Sequence, residues 1–148
     1  MTRYLATAAR VLMGLLFLVT GLNGFFNFLP QPRTPLPEGA VAFATAMMKT
    51  GYLFRLVMAT QLAAGALLLA NRFVPLALAL IAPVVVNILA FHLFLAPSGL
   101  PLALVVLVLE VYLAWTYRAA FRAMLAARVQ PGTAPAPGKA SREPTGRI

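Results

Sequence analysis

The chain has 148 residues, 61% hydrophobic and only 10% charged, with a net charge of +9 and a mean hydropathy of +0.88; a soluble fold of that length cannot bury so much apolar surface. With no cysteine, one histidine, three Glu and no Asp, disulfides, Fe–S clusters, thiolate sites and multi-ligand metal sites within one chain are excluded, and a haem held by two His would need a second chain. The charge does not indicate nucleic acid, because six of the twelve basic residues follow the last apolar run, as in a cytoplasmic tail beside an anionic leaflet.

Four apolar runs, 11–29, 51–70, 74–96 and 100–117, are each close to the about 20 residues that a helix needs to cross a bilayer. The first reads as an uncleaved helix, about 5–29, rather than a secretory signal, because it is long and no A-x-A-like site follows it. Prolines at 30, 32, 35 and 37 then break the chain. A shorter helix, about 38–49, follows, with Glu38 suited to its first turn and Gly51 to its stop. It is too short to span, so it is expected to lie in the interface or to cap the bundle.

The second span, about 51–70, ends at Asn71-Arg72, and a link of a few residues makes the third, about 74–96, its antiparallel neighbour. Pro75 suits a first turn, whereas Pro83 is interior and predicts a kink. Pro97-Ser98-Gly99 turns the chain into a fourth helix, about 100–125. Residues 129–148 combine Pro, Gly, Ala and charge without an aromatic and read as a disordered basic cytoplasmic tail. The expected fold is therefore all-α: an integral membrane four-helix bundle over 1–128 with a short interfacial helix between helices 1 and 2. Basic residues near the helix ends, Arg3, Arg10, Arg72 and the six beyond the last run on one side against Arg33, Lys49 and Arg55 on the other, favour both termini inside.

Polar residues within the spans usually face the bundle and often mark function. Here they are Thr20, Asn23 and Asn27 on helix 1, Arg55 and Gln61 on helix 2, Asn87 and His92 on helix 3, and Glu110 on helix 4. At 1.5 Å per residue, Arg55, His92, Asn23 and Asn27 lie within roughly 10 Å of the outer edge, and Gln61, Asn87 and Glu110 about 15 Å deep. The inner half offers almost none. Glu110, amid Val105 to Leu109, must be protonated or paired. Its reachable cation is Arg55, so the two are expected to meet, either as a structural pair or as part of a proton-accepting or ligand-binding site. His92 reads as an interhelical hydrogen-bonding group or as a proton-transfer or quinone-carbonyl group. Ala59, Ala63, Ala66 and Ala70 form a small-residue stripe expected to pack against another helix.

The segments RVLMGLLFLVTGLNGFFNF (10–28), QLAAGALLLA (61–70) and NRFVPLALALIAPVVVNILAFHLFL (71–95), with the turn 96–101 and the stretch LEVYLAWTYR (109–118), resemble the DoxX family of small bacterial four-helix membrane proteins. Members often carry an acidic residue where Gln61 stands. The resemblance implies a fold and a respiratory or redox neighbourhood, but no catalytic residue.

The leading expectation is an accessory or scaffold protein of the bacterial inner membrane, in contact with a membrane or cytoplasmic protein partner or with further copies of itself. The alternatives are a module that binds a quinone or lipid-like molecule in the outer half through Asn23, Asn27, Arg55, Gln61, Asn87, His92 and Glu110, or a small proton-coupled transporter.

Overall fold

The computed structural model describes residues 2–30 and 35–127, so the expected tail lies outside the described residues. Among the described residues six α-helices follow in order: α1 (Thr2–Phe26), α2 (Glu38–Lys49), α3 (Leu53–Leu69), α4 (Val74–Phe94), α5 (Leu100–Thr116) and α6 (Arg118–Met124). A 3-10 turn at Pro97–Gly99 joins α4 to α5.

α1 buries Ala9, Arg10, Met13, Phe17 and Gly21. Their spacing places them on one face of a helix of 3.6 residues per turn. It ends where Asn27 takes a left-handed φ of 48°. The Asn23 side chain completes that stop, its Oδ1 accepting from Leu29 N at 2.7 Å. α2 starts on Pro37, whose carbonyl accepts from Ala40 N and Val41 N. Glu38 in its first turn and Lys49 in its last complement the helix dipole. Gly51, at φ 77°, then turns the chain so that α2 and α3 meet at 91°.

α3 ends in a Schellman motif. Arg72 N donates to Leu67 O and Asn71 N to Leu68 O, with Asn71 at φ 52°. α4 carries Pro75 in its first turn and runs as one helix through Pro83, which is exposed. The expected fourth helix, about 100–125, is divided at Tyr117 (φ −94°, ψ 14°) into α5 and α6.

α1, α4 and the run Pro97–Thr116 are each long and apolar enough to cross a membrane, and α2 with α3 forms a bent pair that adds a fourth crossing if it counts as one span. α3 has 17 residues, about 26 Å of rise, a little short of the roughly 30 Å hydrocarbon thickness.

α1, α3, α4 and α5 pack in a ring, α1 on α3, α3 on α4, α4 on α5 and α5 back on α1. Its core holds Met13, Phe17, Leu68, Leu78, Ile81, Val85, Val106 and Leu113. The α1–α3 seam is the tightest. A Cβ added at Gly21 would lie 2.7 Å from Leu62 N, and one at Gly65 would lie 2.5 Å from Leu18 N and 2.9 Å from Gly14 O. Backbone meets backbone there, which requires glycine on both helices. The expected alanine stripe is not that seam, because Ala59, Ala63, Ala66 and Ala70 are all exposed. Ala64 and Gly65, on the opposite side of α3, are the buried small residues.

Candidate functional site

At the end of the ring that carries α2, the four helices do not fill the space between them. A cavity of about 430 Å³ opens there. Leu16, Phe17 and Gly24 of α1, Phe54 and Met58 of α3, Ile88 of α4, and Leu102, Ala103 and Val106 of α5 make its apolar wall. Thr20, Asn23, Gln61 and His92 are its polar groups. A second cavity of about 290 Å³ lies between α2, α3 and α4. The two share Phe54, Met58, Gln61, Ile88 and His92. Gln61 and His92 therefore stand on a common wall with space on either side.

Gln61 is buried, on the side of α3 that faces α1. The Thr20 hydroxyl donates to its Oε1 at 2.7 Å, with Leu16 O a second acceptor at 2.9 Å. That contact orients the amide and leaves its N–H groups as donors on the shared wall. His92 is half-buried near the end of α4. Its Nδ1 donates to Ala96 O at 3.0 Å. With the proton on Nδ1, the neutral ring keeps Nε2 as an acceptor. Phe91 meets the ring edge to face, with centroids 5.2 Å apart. Gly99 makes room for the imidazole, since a Cβ built there would overlap the ring. Gly24 does the same for Met58.

A neutral amide donor and an imidazole acceptor in an apolar chamber can hold a carbonyl and a hydroxyl. Among the described residues no group of three or more His, Cys, Asp or Glu is placed to hold a metal ion.

The other expected site residues separate from this pair. Arg55 is exposed in the first turn of α3. Glu110 is buried on α5, on the face of Ala103, Val106 and Leu113, and its Oε2 has no hydrogen-bond partner among the described residues. The expected Arg55–Glu110 pair is therefore not formed. The helical phase of α3 explains this: Arg55 is six residues before Gln61, about 600° at 100° per residue, so the two lie on different faces. Glu110 sits one turn beyond Val106 and does not line the cavity. Asn87 is exposed on α4, where it borders the second cavity beside Phe43. Asn23 borders the main cavity but spends its carbonyl on the α1 stop, and Asn27 is part of the same stop.

Arg10 is the polar residue that reading by position missed. It is counted from sequence as a flanking cytoplasmic charge, yet it is 8% exposed. Its guanidinium donates to the carbonyls of Leu68 and Leu69 at the end of α3. The available signal was its spacing, since Arg10 shares a face with Met13 and Phe17. The half of the ring expected to offer almost no polar groups thus holds Arg10.

The sequence pattern of DoxX matches residues 5–93, more than half of the chain. The match spans α1 to nearly the end of α4, including Thr20, Gln61 and His92 but not Glu110. No curated protein and no solved structure gives a significant match. On the extent of that match, and with its apolar helices in place, this chain is a multi-pass membrane protein that belongs to the DoxX family.

Proposed function

We propose that this protein binds a lipid-like small molecule with a hydrogen-bonding head, a quinone being the fitting class, in the cavity at the α2 end of the bundle. The observation that carries the reading is the shared wall of Gln61 and His92 between two apolar cavities. The amide N–H would donate to a carbonyl of the ligand, and His92 Nε2 would accept from a hydroxyl or, once protonated, donate to a second carbonyl. The apolar wall excludes water and strengthens both bonds.

This reading ranks above an accessory or scaffold role in a respiratory or redox complex because a scaffold requires no chamber in its core. It ranks above a proton-coupled transporter because Glu110 does not reach the cavity. The membrane is proposed to be the bacterial cytoplasmic membrane, with both termini inside and α2 at the outer face.

Native mass spectrometry of the detergent-purified protein tests the reading. The expected result is one retained quinone-like or lipid-like molecule, lost when Gln61→Leu and His92→Phe are combined. Retention of a protein subunit with no small molecule would favour the scaffold role instead.

A further inference from the structure

At the other end of the ring lies a feature with no part in that cavity. A groove of about 380 Å³ runs along α5 and α6, lined by Val111, Ala114, Trp115, Arg118, Phe121 and Leu125. These positions repeat at i, i+3, i+4 and i+7, so the two helices present one continuous stripe across their junction at Tyr117. Val111, Trp115 and Leu125 of the stripe are all largely exposed, while Phe121 packs at its inner edge against the core. Its polar member is fixed in place. The Arg118 guanidinium lies 5.2 Å from the centroid of the Trp115 ring and donates to Trp115 O at 3.0 Å. Arg122, one turn further along α6, is exposed on the same side.

No carboxylate neutralises these arginines among the described residues. Glu38 begins α2 at the opposite end, and Glu110 is buried in the ring. An apolar groove that ends at a guanidinium over an indole is complementary to an acyl chain beneath a negative headgroup. We propose that this groove is a binding site for one anionic phospholipid, its chain along Val111, Ala114 and Phe121 and its phosphate at Arg118 and Arg122. Arginine suits that role, since its planar fork meets phosphate oxygens in pairs. Tryptophan and basic residues concentrate at the depth of the headgroups, which is where such a site would lie.

Trp115 is the single tryptophan of the chain, so its fluorescence reads this groove and nothing else. The full-length protein is reconstituted in phosphatidylcholine vesicles containing brominated phosphatidylglycerol or, at equal mole fraction, brominated phosphatidylcholine. The anionic quencher is expected to be enriched at Trp115 on the order of tenfold over its bulk fraction. Added salt should erode the preference. Arg118→Gln with Arg122→Gln should abolish it, and Arg118→Lys with Arg122→Lys should retain most of it. Equal quenching by the two lipids in the native chain would overturn the proposal. So would weak quenching by both, which would mean that protein covers the groove.

Discussion

Gln61 and His92 owe their positions to unlike neighbours, and the difference sets what each substitution should do. Thr20 holds Gln61 but also reaches Leu16 O, so Gln61→Leu leaves no orphaned partner. Its effect on stability should stay within about 1 kcal/mol, while retention of the bound molecule is lost. Thermal unfolding in detergent together with mass spectrometry separates the two effects. His92 depends on the absence of a side chain at Gly99. Gly99→Ala should displace the ring from its bond to Ala96 O, cost about 1–3 kcal/mol, and weaken binding although residue 99 does not line the main cavity. Unchanged stability and binding in that variant would mean that the ring is not held there. Glu110 and Arg55 do not meet, so Glu110→Gln and Arg55→Gln should have additive effects in a double-mutant cycle. Glu110→Met removes a buried oxygen without a partner and should leave the melting temperature equal or higher. A coupling energy above about 0.5 kcal/mol between the two sites would restore the ion pair.

Among the elements, α1 and α3 form the most closely packed pair of the ring, and two devices hold them together. The first is the glycine seam. Gly65→Ala would drive a Cβ against the Leu18 backbone, which cannot yield as a side chain can. A loss of about 1–3 kcal/mol is expected, against almost none for Ala63→Leu on the exposed side of the same helix. Equal effects would mean that the alanine stripe is a contact after all. The second device is Arg10 on the last carbonyls of α3. Leu68 O also accepts from Asn71 N, whereas Leu69 O is among the carbonyls that a helix end leaves without an intrahelical partner. Arg10→Met keeps the bulk but removes the donor, and should destabilise by about 1–3 kcal/mol in chemical denaturation. A neutral result would show that water or lipid serves those carbonyls instead.

For the whole molecule, the proposed arrangement puts the α2 end at the outer face of the membrane. The chain has no cysteine, so single thiols have no background. Cysteines at Ser98, in the turn between α4 and α5, and at Ser141, near the C-terminus, should label from opposite sides of intact cells, Ser98 from outside. Labelling of both from one side would refute the proposed arrangement.

Sequence alone determined that the chain is helical, that apolar stretches alternate with proline and asparagine breaks, and that a family pattern runs through its first two thirds. These properties are local. Run length, breaker residues and the cost of polar groups in lipid act on consecutive residues, and each can be read from a window of twenty. The packing of those helices was decided by tertiary structure. Depth placed Arg55 near Glu110, but depth is one coordinate, and the rotation of α3 about its axis turned Arg55 out and Gln61 in. Arg10 looked like a flanking charge because its partners, the carbonyls of Leu68 and Leu69, are backbone atoms that no residue type announces. The cavity is likewise a volume left between four helices, which no single run encloses. Only the mutual placement of the helices shows that Thr20, Gln61 and His92, from three separate runs, meet around one space.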